Sequence, residues 1–135
     1  MVNYVETSAE STLARRDREL IILRTAARCK DDYIWAAHSR GASLRNGLSE
    51  VEVRRVLLGP DAEGWTSSEA ALLRAVDELL ADHFISAQTW SVLGKSYDDR
   101  ALLDVMALTS TYTTLANILN SSGTPLEDGW VGLGK

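Results

Sequence analysis

The chain has 135 residues, of which 45% are apolar, and its 14 basic and 19 acidic residues give a formal net charge of −5. This length fits one domain that can build a core without disulfides, and the acidic balance argues against a nucleic-acid-binding protein. The single cysteine, Cys29, excludes an internal disulfide and favours a cytoplasmic setting. Because the sequence has no long apolar stretch, we expect neither a signal peptide nor a membrane partner.

The predicted elements begin after a polar N-terminal arm, residues 1–15. From residue 16 to residue 29, apolar side chains cover more than one face of a helix, which is typical of a central, buried helix. A second helix is predicted over 31–44, where apolar residues recur at steps of three and four. Ser49 and Glu52 then form the pattern of a capping box, which predicts the start of a third helix.

The second half of the chain predicts three more helices. Thr66 opens a strongly amphipathic helix with another capping box. Ser86 opens a short helix, and Asp98 or Asp99 opens a last helix that runs to about residue 120. The glycine-rich residues 126–135 predict an irregular tail.

These elements predict an all-α fold, a compact bundle of about six helices, because no alternation typical of β-strands persists anywhere. The helical domain spans 16–125. Because the first two helices are apolar over wide arcs, we expect subunits to bury this surface in a homo-oligomer.

A run of weak helix formers, Thr109 to Thr114, lies within the last predicted helix. Thr109, Thr113 and Asn117 share one face, so this polar stripe would line a pocket or an interface. The simpler alternative is that the hydroxyl groups bond back to carbonyls of their own helix.

Several segments, in this order and spacing, resemble the carboxymuconolactone decarboxylase and alkylhydroperoxidase D-like family. They are residues 16–24, 33–38, 47–52, 69–79 and 119–120. The resemblance covers roughly residues 16–125. It implies an alkylhydroperoxidase D-like helical fold and assembly as a trimer or hexamer.

Peroxidase members of this family carry a glutamate, then Cys-x-x-Cys, then a histidine. Glu19 and His38 match the glutamate and the histidine, with the same separation of 19 positions. The two cysteine positions fall on Asp31 and Ile34, and neither is a thiol. Because peroxide reduction needs an attacking thiolate and a resolving thiol, the chain is not expected to be a thiol peroxidase.

Decarboxylating members keep the histidine without the cysteines, so they resemble this chain more closely. The resemblance therefore implies a decarboxylase-like lyase without cofactor or metal, in which His38 and Glu19 handle protons during decarboxylation or a related enolate step. Its substrate would be a small organic acid or lactone. The chain departs from these enzymes after the third helix, where it reads Leu58-Gly59-Pro60-Asp61 in place of a Tyr-x-Gly-x-Pro segment, so the substrate stays open.

The residues themselves leave two interpretations of each catalytic candidate. Glu19 would act as a general acid or base if its apolar helix face is buried, and it would merely favour the positive helix N-terminus if exposed. His38 lies between Ile34 and Ala42 on an apolar stripe. Its ring suits proton transfer near neutral pH, or it is a hydrogen-bonded core residue.

Four neighbouring residues are candidates for substrate binding: Asp31, Tyr33, Ile34 and Trp35. Asp31 would orient the imidazole or replace a cysteine in the pocket, with an N-cap role as the alternative. Ile34 occupies the other cysteine position. Tyr33 and Trp35 would form an aromatic pocket wall, with core or interface packing as the alternative.

Two other functions remain open from the sequence. The first is a non-catalytic, oligomeric small-molecule-binding protein that kept the scaffold after losing the thiols. The second is residual redox activity through Cys29, although a lone buried cysteine is more often a small core residue. His38 and His83 belong to no metal-binding motif, and His83 is expected at the surface, near a helix end.

Overall fold

A computed structural model describes residues 12–134, which form six helices and no strands. The helices are α1 (Arg15–Arg28), α2 (Asp32–Ala37, continuing through a π-helical turn His38–Ala42 into Ser43–Arg45), α3 (Glu50–Leu58), α4 (Ser67–Asp82), α5 (Ala87–Leu93) and α6 (Asp99–Ser122). The predicted all-helical fold is confirmed. Most of the predicted N-terminal arm lies outside the described residues. The π-helical turn was not predicted.

Helix α1 is the centre of the bundle and packs against α4, α6, α2 and α3. Four consecutive residues, Leu20 to Leu23, are at most 1% exposed. Consecutive helical residues point in different directions, so such a run is buried only when other helices surround it. The expectation of a central helix is therefore confirmed.

Both predicted capping boxes are present, and one arginine connects them. Ser49 pairs with Glu52 at the start of α3, and Thr66 pairs with Glu69 at the start of α4. The guanidinium of Arg16 forms ion pairs with both glutamates. The N-termini of α3 and α4 are thus fastened to the first turn of α1.

The last two helices are capped by Ser86 and Asp98, whose side chains accept backbone N–H groups of the first turn. Within α6, the hydroxyl groups of Thr109 and Thr113 donate to carbonyls four residues earlier, at 2.9 and 2.8 Å. The simpler interpretation of the threonine run is therefore confirmed. None of the helices in 12–134 has the length and apolar character that a bilayer crossing requires.

The chain after α6 is irregular and folds back over α2. The backbone N–H of Leu133 donates to a carboxylate oxygen of Asp32 at 2.7 Å. The ring of Trp130 lies 5.2 Å from that of Tyr33. The tail thereby covers the outer side of the helix that carries His38.

Candidate functional site

The structure brings Glu19 and His38 into direct contact. Glu19 lies on the second turn of α1 and is 5% exposed, which selects the buried alternative for this carboxyl group. Its Oε1 atom is 2.9 Å from Nδ1 of His38, at the start of the π-helical turn in α2. The imidazole is 13% exposed, so most of the pair is shielded from water.

A third side chain, Ser43, completes this contact. Its Oγ atom donates a hydrogen bond of 2.8 Å to Oε1 of Glu19, the same oxygen that faces His38. Ser43 is fully buried. Two polar groups of α2 therefore converge on one carboxylate oxygen of α1.

Tyr112 of α6 forms another wall of the site. Its ring meets the imidazole of His38 edge-on, with ring centroids 5.7 Å apart and planes at 86°. Such an edge-to-face contact is a favourable aromatic geometry. Since Tyr112 is 3% exposed, it holds the imidazole from the core side.

The geometry supports proton exchange at the imidazole. When Glu19 is ionised and His38 is neutral, Nδ1–H donates to Oε1, and Nε2 carries the lone pair that accepts a proton. The carboxylate then stabilises the imidazolium that forms. In other acid–base sites, a carboxylate likewise orients and stabilises a histidine that transfers the proton.

Two of the four predicted substrate-binding residues, Asp31 and Tyr33, line a cavity at the start of α2. Asp31 is 1% exposed, and its Oδ1 atom accepts the N–H of Ile34 at 2.8 Å, so it takes the N-cap alternative. The carboxylate that contacts the imidazole is that of Glu19. A cavity of about 170 Å³ lies beside Asp31 and is lined by Asp31, Asp32, Tyr33, Leu119, Asn120, Gly123 and Thr124.

The other two predicted substrate-binding residues belong to the core. Ile34 is 4% exposed and Trp35 is 6% exposed. For Trp35, this is the packing alternative that the sequence left open. Glu19 and His38 do not line the 170 Å³ cavity. The predicted site residues therefore fall into three groups: the buried catalytic pair, the two residues that line the cavity, and the two core residues.

Within residues 12–134, no three histidine, cysteine or acidic side chains come close enough together to hold a metal ion. His83 is exposed and forms the C-cap of α4, with a left-handed backbone at φ 63°. The expectation that it is a surface residue is confirmed.

The model of the carboxymuconolactone decarboxylase family matches residues 1–78, which is more than half of the chain. The chain belongs to the carboxymuconolactone decarboxylase family. The match includes both Glu19 and His38. No curated protein matches the sequence.

Solved structures share the fold of this family member. One is a protein of unknown function from Agrobacterium tumefaciens, described as a candidate antioxidant defence protein AhpD. It has a TM-score of 0.82 and 21% identity, over 93% of this chain and 84% of that one. Another is an uncharacterised peroxidase-related protein from Silicibacter sp. TM1040, with a TM-score of 0.82 and 16% identity, over 95% of this chain and 67% of that one. At identities this low, the structural similarity shows a common fold and no more.

The lone cysteine of this family member, Cys29, is not among the side chains that bond Glu19 or His38 in residues 12–134. Cys29 is the C-cap of α1, and its carbonyl accepts a hydrogen bond from Asn120 at 2.9 Å. Burial raises the pKa of the Cys29 thiol above its ordinary value, and the charge of Asp31 acts in the same direction, while a hydrogen bond with Thr113 opposes them. The reactive thiolate is therefore disfavoured near neutral pH.

Proposed function

We propose that this carboxymuconolactone decarboxylase-family protein is a cofactor-free acid–base enzyme that acts on a small organic acid or lactone. The reaction would be decarboxylation or a related enolate step. The observation that carries the proposal is the 2.9 Å contact between Nδ1 of His38 and the buried carboxylate of Glu19. Paired titratable groups shielded from water are typical of proton-transfer sites.

In this mechanism His38 carries the proton and Glu19 supports it. During decarboxylation, the electron pair of the breaking bond to carbon dioxide moves into an adjacent carbonyl group and forms an enolate. The imidazolium of His38 then delivers a proton from Nε2 to the enolate carbon, and the Glu19 carboxylate stabilises the charged ring before that transfer. In the reverse direction, neutral His38 removes a proton from a carbon beside a carbonyl.

Thiol peroxidase activity, which the names of the structural neighbours suggest, is not the function that we propose for this chain. The sequence has one cysteine, and Asp31 and Ile34 stand where peroxidase members carry two. Burial also raises the pKa of Cys29. The chain therefore lacks both the nucleophile and the resolving thiol.

The alternative is a non-catalytic small-molecule-binding protein. The 170 Å³ cavity beside Asp31 and Tyr33 favours this alternative, because Glu19 and His38 do not line it. In that case Glu19, His38 and Ser43 would form a buried polar network that only stabilises the bundle.

The two functions are separated by turnover assays on a panel of small lactones and keto acids, with wild-type protein, His38→Gln and Glu19→Gln. We expect carbon dioxide release or isomerisation with the wild type and a fall in kcat of about 100-fold or more in His38→Gln, the range for loss of a general acid–base group. Circular dichroism checks that both variants stay helical. Saturable binding of panel members without any turnover would support the binding alternative instead.

We further propose that the protein is a homo-oligomer, a trimer or a hexamer, and that it works in the cytoplasm. Val51 and Leu58, two turns apart on α3, are 57% and 77% exposed. Apolar side chains so placed favour a subunit contact. Light scattering at micromolar concentration tests this assembly, and a monomer would contradict it. The free cysteine favours the cytoplasmic location.

A further inference from the structure

The π-helical turn at His38–Ala42 changes which residues of α2 share a face. In an α-helix, residues five positions apart point about 140° away from each other around the axis. In the π-helical turn, the N–H of Ser43 instead donates to the carbonyl of His38, five residues earlier. Ser43 therefore follows His38 on the same side of the helix.

This shared face is turned toward Glu19. His38 reaches Oε1 of Glu19 at 2.9 Å and Ser43 reaches the same atom at 2.8 Å. With ordinary α-helical geometry throughout α2, only one of the two side chains would point at α1. The π-helical turn is thus what allows both contacts.

We propose that Ser43 is a positioning residue for the Glu19–His38 pair, and that the π-helical turn serves to place it there. This inference rests on the proposed acid–base function and names a residue that acts through Glu19. Ser43 is fully buried, so it does not itself reach a substrate. Its single hydroxyl proton is donated to Oε1 and fixes the rotation of the carboxylate.

Fixing the carboxylate determines which nitrogen of His38 carries the proton. With Oε1 held in place, the Nδ1–H tautomer gains a hydrogen bond, and Nε2 keeps its lone pair for the substrate. Without Ser43 the carboxylate can rotate, and this preference is weakened. A π-helical turn within an α-helix is rare and is frequently found at functional sites, which agrees with this role.

The test measures the tautomer of His38 from the ¹⁵N chemical shifts of its ring, with the signals assigned by His38→Gln. We expect the Nδ1–H form to predominate in the wild type. In Ser43→Ala we expect the ratio of Nδ1–H to Nε2–H to fall at least about fivefold. Ser43→Cys, close in size and with a weaker donor, should lie between the two.

The matched control is Thr25→Val, which removes another fully buried hydroxyl group. The hydroxyl group of Thr25 donates to the carbonyl of Ile21 in its own helix, so the tautomer ratio should not change. A wild-type ratio in both Ser43 variants, or a predominant Nε2–H form in the wild type, would overturn the proposal. The tautomer measurement does not depend on turnover. If the ratio falls in the Ser43 variants as expected but the protein shows no activity, the result would count against the proposed function alone.

Discussion

Arg24 and Asp77 form a two-pronged ion pair between α1 and α4, with Nε 2.8 Å from Oδ1 and Nη2 2.9 Å from Oδ2. Nη1 of Arg24 also donates to the carbonyl of Val56, in the last turn of α3, at 2.9 Å. One guanidinium therefore joins three helices at a site where the arginine is 8% exposed.

Replacing Arg24 by Met should lower the free energy of unfolding by about 2–3 kcal/mol, because the partly buried Asp77 carboxylate and the Val56 carbonyl lose charge-assisted hydrogen bonds. Urea denaturation followed by circular dichroism measures this change. Arg28→Met is the matched control, since Arg28 is 47% exposed and 3.6 Å from Asp77, and it should cost less than about 1 kcal/mol. Equal losses in the two variants would contradict this account of the pair.

The contact of Arg16 with the two capping boxes predicts a specific acid sensitivity. The hydrogen bond from Arg16 lowers the pKa of Glu52 to about 2, from an ordinary value of 4.5. A depressed carboxyl pKa stabilises the folded state above the ordinary value, and this stabilisation is lost as the pH falls from about 4.5 toward 2.

Arg16→Met should therefore reduce stability at pH 7 by about 1 kcal/mol and flatten the loss of stability at acid pH. Urea titrations at a series of pH values measure both effects. Glu50→Gln removes an exposed carboxylate from the same helix start and should leave the acid slope unchanged. If stability falls with decreasing pH as steeply in Arg16→Met as in the wild type, the ion pair with Arg16 does not lower the pKa of Glu52.

The C-terminal tail predicts a local effect on α2. The ring of Trp130 lies 5.2 Å from the ring of Tyr33 and 5.2 Å from the guanidinium of Arg40. Trp130→Ala should cost about 1 kcal/mol and speed hydrogen exchange at the amide of Leu133, whose bond to Asp32 depends on the docked tail. Val131→Ala, at a residue that is 78% exposed, should change neither quantity. Slow exchange at Leu133 in Trp130→Ala would mean that the tail docks without the tryptophan.

The raised pKa of Cys29 predicts a slowly reacting thiol. Alkylation by iodoacetamide at pH 7 should be at least about tenfold slower than for a free cysteine, and it should accelerate only at alkaline pH, as the thiolate forms. Cys29→Ser should retain any turnover found for the wild type. Rapid alkylation at neutral pH, together with activity lost in Cys29→Ser, would restore the redox alternative.

Much of the fold could be predicted from the sequence because its signals are local. The capping boxes at Ser49 and Thr66 each depend on residues three positions apart, and both were found where the pattern placed them. The central position of α1 follows from its apolar run, which needs other helices on all sides.

The candidate site was only partly predictable. The spacing of Glu19 and His38 indicated the pair through the family resemblance. Ser43 and Tyr112 were missed, because a π-helical turn and an edge-on ring contact arise from packing between helices. The threonine run around Tyr112 indicated a polar stripe in this part of α6, but its hydroxyl groups donate within the helix, and Thr113 also bonds the thiol of Cys29.

Enolate chemistry at His38 can be measured as hydrogen–deuterium exchange at the substrate carbon beside the carbonyl group. Lactones and keto acids are incubated with the protein in D₂O, and loss of the proton signal beside the carbonyl group is followed by NMR. We expect the wild type to catalyse this exchange and His38→Gln to slow it about 100-fold or more. Exchange no faster than in buffer across the panel, or equal exchange in wild type and His38→Gln, would contradict it.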